Sequence, residues 1–333
     1  MMIGGDQELK TLIRQNDHLS ILRHLRTHKL REPKLVIHHA SSLLGYNSKN
    51  ETFPTVVTTL SESERLAALE QLLLAALDVS NISLAEKCIL CIRDTKGVPR
   101  SSTRVKRLIG QSLESTGVDS EEALEIYNEL LDENPANAIA FKRKYTLLAA
   151  VPGKELEARD MLNSYVQYQQ GDSGAWMELY FSCMDLGDYK GAAFALEEVV
   201  LSSPLDAHVH CLLGEVYATI GGSVHMYKLA RKHLSLSLEL KSYERGNLRA
   251  LYSLTSVSDI IVEEYGTSHS SSNNSKGSMK KNQKELDLEH DVDIAKELIR
   301  FGGEKIIAFY RSEGKGSNME KIVKDAVATY RKV

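Results

Sequence analysis

The sequence predicts an all-α fold, a right-handed α-solenoid of paired helices with helical N- and C-terminal extensions. Three observations carry that reading. A helix–turn–helix pattern recurs with starts near Thr103, Ala138, Ser173 and Ala207, at steps of 35, 35 and 34 residues. Small, large apolar and turn residues return at matching offsets inside each unit. Apolar positions fall at three- and four-residue steps, the spacing of one helix face.

The period is that of the tetratricopeptide repeat, about 34 residues with a small residue, a large residue and a proline at fixed offsets. Residues 1–60 read as a helical leader, with amphipathic patterning over Glu8–Leu25 and Lys34–Leu44 and a polar linker from Gly45 to Pro54. Residues 61–265 read as the solenoid. Its first unit spans Leu66–Ile92, with Ala85 in the small-residue slot. The next carries Gly110, Leu113, Ala123, Tyr127, Leu130 and Pro135, with one residue inserted in its turn at Gly117–Ser120. The unit at Ala138 carries Phe141, Leu148, Ala158, Leu162 and Tyr165, but has Gln170 in the proline position.

The clearest unit sets Trp176 and Leu179 on one face of a first helix. Gly187 follows to end that helix in the left-handed conformation. Ala192 then allows close approach, Leu196 and Val199 continue the buried stripe, and Pro204 stops the second helix. The unit at Ala207 carries Gly214, Tyr217, Ala230 and Leu234, with about four extra residues after Gly221 that predict a lengthened loop. A further first helix is expected over Gly246–Tyr265. The tract 266–284 is rich in serine and asparagine and too poor in apolar residues for a packed core. Residues 285–333 read as capping helices, over Leu286–Tyr310 and Asn318–Tyr330, since a terminal repeat otherwise exposes its apolar face.

Bulk properties agree. The chain has 333 residues, 42% hydrophobic and 26% charged. A net charge of −4 gives no argument for nucleic acid or a membrane surface. No apolar run reaches the roughly 18 residues that a membrane span needs. The start, Met1 to Asp6, lacks a basic and apolar signal sequence, so folding in the cytosol is expected.

No chemical motif stands out. Walker, dinucleotide, His-Glu-x-x-His and nucleophile-elbow patterns are missing from the sequence, so no catalytic residue, cofactor or metal ligand is assigned. Cys88 and Cys91 have metal or redox spacing but lie in an apolar helical stretch, as packing residues would. His24 and His28 share a helix face in a leader that also holds His18, His38 and His39; the expected role is a polar surface stripe.

A basic cluster is the candidate binding feature. Arg104 and Arg107 lie on one first helix, and Lys142 and Arg143 on the next. First helices line the concave wall of such solenoids, so these four form a candidate partner-binding band, a clamp for an acidic segment or chain terminus. The competing reading is solvated charge paired with nearby glutamates. The repeat-defining core is Gly110, Ala123, Ala158, Trp176, Leu179, Ala192, Leu196, Gly214, Tyr217 and Ala230.

Several runs resemble subunit 2 of the endoplasmic reticulum membrane protein complex. They are Ala75-Ala-Leu-Asp78, Arg104-Val-Lys-Arg-Leu108, Lys142-Arg-Lys144 and Asp188-Tyr-Lys-Gly-Ala-Ala-Phe-Ala-Leu-Glu-Glu198, then Gly221-Gly222, Arg231-Lys232 and Arg249-Ala-Leu251. They occur in order over roughly residues 66–255. The resemblance implies a non-catalytic scaffold, peripheral on the cytoplasmic face of the endoplasmic reticulum. Membrane and soluble subunits would be its partners in a hetero-oligomer that inserts tail-anchored and multi-pass proteins.

Two alternatives stand beside it. One is a co-chaperone or soluble adaptor that grips acidic peptide tails. The residues at its clamp positions, Arg107, Gln111, Arg143, Gly174 and Glu178, or one unit later Lys142, Thr146, Glu178, His208 and Leu212, do not reproduce that clamp. The other is an enzyme with a helical-repeat body, or a metal site in the leader.

Overall fold

The computed structural model describes residues 5–46, 52–54, 60–95, 99, 102–116, 120–266, 283–312, 321, 322, 324, 325 and 328. The chain divides into two compact units, residues 1–154 and 155–333.

The first unit contains α1 (Gly5–Gln15), α2 (His18–Thr27), α3 (Pro33–Leu44), α4 (Glu62–Asp78), α5 (Ile82–Arg93), α6 (Thr103–Thr116), α7 (Ser120–Glu133) and α8 (Ala138–Ala149). Each of these helices packs on its neighbour in sequence. Ser61 caps α4: its Oγ accepts from the Glu64 amide at 3.3 Å and donates to the Glu64 carboxylate at 3.1 Å. Asn81 and Asn137 cap α5 and α8 by accepting from the Leu84 and Ala140 amides. The leader is not a separate layer. Ile21, Leu22 and Leu25 of α2, with Val36 and Ala40 of α3, share one core with Leu69, Leu72 and Leu73 of α4. Burying each such side chain is worth about 1.5–3 kcal/mol, which joins the leader to the repeats.

The continuous amphipathic pattern over Glu8–Leu25 is two helices in the structure. Asn16 takes φ +56°, and Asp17 then accepts from the Ser20 amide at 3.2 Å to start α2. A side chain that caps its own successor wins over helical continuation.

The second unit contains α9 (Glu155–Tyr168), α10 (Ser173–Asp185), α11 (Tyr189–Ser202), α12 (Ala207–Ile220), α13 (Val224–Leu240), α14 (Leu248–Ile261) and α15 (Gln283–Ser312). Asp172, Asp188 and Asp206 cap α10, α11 and α12. A π-turn at Val262–Gly266 follows α14, and α15 packs on both. Asp291 of α15 binds Arg231 of α13 at 2.7 Å and also pairs with Lys228. Burial pushes the Asp291 carboxyl up. The two basic partners more than offset this, so it titrates below the usual carboxylate range.

The repeat starts fall where the spacing places them, at Thr103, Ala138, Ser173 and Ala207. The loop expected after Gly221 is a correction. Gly221 and Gly222 take φ +52° and +71°, which makes a tight turn. Ser223 then caps α13, and the extra residues extend that helix to 17 against 14 for α11. The tract 266–284, the inserted turn near Gly117 and the helix expected over 318–330 lie wholly or mostly outside the described residues.

One internal contact recurs at the repeat period. The Trp176 indole donates to the Gln170 carbonyl at 2.9 Å. At the equivalent positions, His210 Nε2 donates to the Pro204 carbonyl at 3.0 Å. A donor on the first helix thus ties down the end of the preceding helix whether or not proline stands there.

Candidate functional site

All ten repeat-defining residues are buried. They position the charged faces. On α6, Arg104 Nε donates to Glu70 Oε2 at 2.7 Å, and Arg107 donates to Glu70 Oε1 at 2.6 Å. Glu70, on α4, is 15% exposed, so one shielded carboxylate serves two guanidinium groups. On α8, Arg143 donates to Glu114 Oε2 of α6 at 2.7 Å. The other Glu114 oxygen accepts from the Tyr127 hydroxyl of α7. Burial, then that hydrogen bond, pushes the Tyr127 phenol far up, so it stays a donor. Lys142 is exposed on α8. Lys106 turns the other way, to Glu129 and Glu133 of α7, each at 2.8 Å.

The three arginines of the band are therefore each bound to a glutamate one first helix back. Sequence reasoning left those glutamates unnamed, although a signal existed. Glu70 and Arg104 are 34 residues apart, the repeat period. The second unit repeats the relation with Glu215 of α12 and Arg249 of α14. A cavity of about 470 Å³ opens beside Glu70, Arg104, Arg107 and Ile139.

The cysteines are packing residues by chemistry as well as by place. Burial pushes the Cys88 and Cys211 thiols up to about 12, and all four cysteines are free thiols. Neutral thiols neither attack nor ligate. The expected surface stripe of leader histidines is corrected in part: His28 and His38 are exposed and His18 is half-buried, but His24 is 6% and His39 3% exposed. His39 meets His18 with their Nδ1 atoms 2.8 Å apart, and His24 stacks on His28 at 4.1 Å between ring centroids. Among the described residues no group of three or more side chains is arranged to hold a metal.

Residues 94–241 match the family model described as the EMC2 TPR-like repeat domain. That segment is similar to an EMC2-type TPR-like repeat domain. The chain is 37% identical over 185 residues to the ER membrane protein complex subunit 2 of Xenopus tropicalis, covering 56% of this chain and 59% of that protein. The subunit 2 of Dictyostelium discoideum is 29% identical over 222 residues, 66% of this chain and 64% of that one. The chain thus spans about three-fifths of the length of the curated relatives it matches. Among solved structures, the C-terminal part of a TPR repeat-containing protein from Cytophaga hutchinsonii superposes with a TM-score of 0.50 at 12% identity, covering 94% of this chain and 96% of that one. That likeness concerns the fold alone. No described helix is long and apolar enough to cross a membrane.

Proposed function

We propose that this chain is a non-catalytic scaffold subunit of an endoplasmic reticulum membrane protein complex. It is held peripherally on the cytoplasmic face by partner subunits and organises membrane subunits for insertion of tail-anchored and multi-pass proteins. The observation that carries the proposal is the EMC2-type repeat domain at residues 94–241, together with relatives named as subunits of that complex. The site chemistry supports it. Buried neutral thiols and arginines committed to glutamates suit a rigid holder better than a reactive centre.

The band of Arg104, Arg107, Lys142 and Arg143 is the face on which we place partner contact. The pairing of Arg107 with Glu70 and of Arg143 with Glu114 changes how that contact is tested. Reversing either arginine sets two carboxylates together and strains the fold, so the neutral variants Arg107→Gln and Arg143→Gln are the milder probes. The deciding experiment is affinity purification from detergent-solubilised membranes, with identification of the co-purifying proteins. Integral membrane subunits in fixed ratio support the scaffold; a partner-free soluble species overturns it.

A further inference from the structure

Two guanidinium groups on α6 share one carboxylate. Arg104 and Arg107 both bind Glu70 of α4, so the three side chains carry one net positive charge. Each guanidinium offers five N–H donors. Arg107 spends one of them on Glu70 and Arg104 two. Both arginines line the cavity of about 470 Å³ beside α6, so charge and donors are left over there.

Thr103, the first residue of α6, lines the same cavity. It is exposed, and its hydroxyl makes no hydrogen bond among the described residues. Thr103 and Arg107 are four residues apart and so stand on one helix face. Among the residues that line the arginine cavity, Thr103 alone carries a hydroxyl. The adjacent Ser102 is half-buried and lines a smaller cavity, of about 210 Å³, among Leu66, Ile92, Val105 and Leu108.

The sequence marks the same residue. Arg100 stands three residues before Thr103. Kinases that select by charge read basic side chains at fixed places around the acceptor. An arginine three residues before a serine or threonine occurs twice in the chain, at Arg100–Thr103 and Arg143–Thr146. Thr146 lies inside α8, and its hydroxyl donates to the Arg143 carbonyl at 2.8 Å. Thr103 sits at a helix start, where only the first turn has to fray to enter a kinase cleft.

We infer that Thr103 is a phosphorylation site of a kinase that selects basic segments, and that Arg104 and Arg107 hold the phosphate in the cavity beside Glu70. Thr103 Oγ1 attacks the γ-phosphorus of ATP. The new O–P bond forms as the bond to the β,γ-bridging oxygen breaks, ADP leaves, and the hydroxyl proton passes to the kinase's catalytic carboxylate. The phosphate adds close to two negative charges, which turns the local surplus from positive to negative. The consequence rests on the reading of this band as the partner face: an acidic partner segment binds the unmodified face and leaves the phosphorylated one.

The test is phosphorylation of the purified full chain with ATP and a kinase that requires arginine three residues before its acceptor. Peptide mass mapping locates the phosphate, and phosphorus NMR follows its titration. Thr103 is expected to take up phosphate. Thr103→Val should block this, Ser102→Ala should leave it unchanged, and Arg100→Gln should slow it about tenfold, as loss of one charge-assisted contact does. Two guanidinium groups favour the dianion, so its second ionisation should fall at least about half a pH unit below the ~6 of a free phosphate ester. Arg107→Gln should return it toward that value, with thermal melts as the folding control. Should Arg107→Gln melt early, Arg104→Gln, at a side chain 60% exposed, tests the same contact with the same expected direction. Phosphate that enters other residues and not Thr103, or a phosphothreonine that titrates at the free value, would overturn the inference. Membrane subunits that still co-purify with a chain whose Thr103 takes no phosphate leave the scaffold standing and remove only this site.

Discussion

Glu215 and Arg249 stand 34 residues apart and meet across two consecutive first helices, joined by hydrogen bonds of 2.8 and 2.5 Å. Glu70 and Arg104 repeat that relation in the first unit at the same separation. A step of one repeat returns the chain to the same helix face one helix further on. An acid and a base placed one period apart therefore face each other whenever the side chains are long enough to reach. This rung recurs alongside the apolar packing and does not depend on any single unit's consensus residues.

The two rungs differ in worth. Glu70 is 15% exposed and serves two arginines, one of them 28% exposed. Glu70→Gln should cost about 2 kcal/mol, since it leaves the shielded Arg107 guanidinium short of an acceptor. Arg249 is 61% exposed, so solvent screens its pair, and Glu215→Gln should cost about 1 kcal/mol or less. Urea denaturation of the two variants checks the order. A larger loss in Glu215→Gln would refute it.

The glycines in the first helices set the closeness of each pair. A methyl group on Gly214 would lie 2.7 Å from Leu234 Cγ and 3.1 Å from the Ala230 carbonyl oxygen, a backbone atom that cannot swing away. On Gly110 it would meet the end of the Tyr127 ring at 2.9 Å. Alanine gains about 1 kcal/mol of helix propensity, but overpacking costs about 1–3 kcal/mol. Gly214→Ala is expected to be net destabilising. Gly110→Ala should be milder, because a ring can tilt where a carbonyl cannot. Thermal melts of both variants give the comparison.

Acid should loosen the first unit at a pH where the Asp78 carboxyl is still ionised. Burial, then His18 and His38, holds the His39 imidazole below its usual 6.5. The unfolded chain therefore binds more protons just below pH 6.5, and stability falls as pH drops through that value toward the folded pKa. Each unit of depression is worth about 1.4 kcal/mol. The Asp78 carboxyl is lowered chiefly by its hydrogen bond from Arg31. Its contribution is present above about pH 4 and is lost only below that. Melting temperatures measured from pH 7.5 down to about pH 5 should fall in the wild type and fall less in His39→Gln. A flat wild-type profile over that range would sink the assignment.

What was legible in the sequence was whatever rests on local chemistry repeated at a fixed period. The helix starts at Thr103, Ala138, Ser173 and Ala207 follow that period, and the ten core positions are buried. The caps at Asn137, Asp172 and Asp206 went unread, although each residue type is a common cap. What stayed hidden depends on reach between helices or on conformations that leave no residue signature. Glu70 and Glu114 look like any exposed glutamates until an arginine one repeat away arrives. Asn16, Lys29 and Ser80 take positive φ without being glycine, so the helix ends they make carry no glycine mark. His24 and His39 read as polar and are buried because α2 and α3 fold onto α4.

Two of those non-glycine helix ends can be compared directly. Lys29 and Ser80 sit at φ +53° and +57°, each closing a helix with the same pair of backbone hydrogen bonds. A side chain in that region costs roughly 1 kcal/mol, which glycine relieves in part while gaining unfolded-state freedom. Lys29→Gly and Ser80→Gly should therefore each stay within about 1 kcal/mol of the wild type. Urea denaturation of the two variants beside the wild type checks this. A larger loss in either would mean that the side chain itself, and not only the backbone turn, holds that helix end.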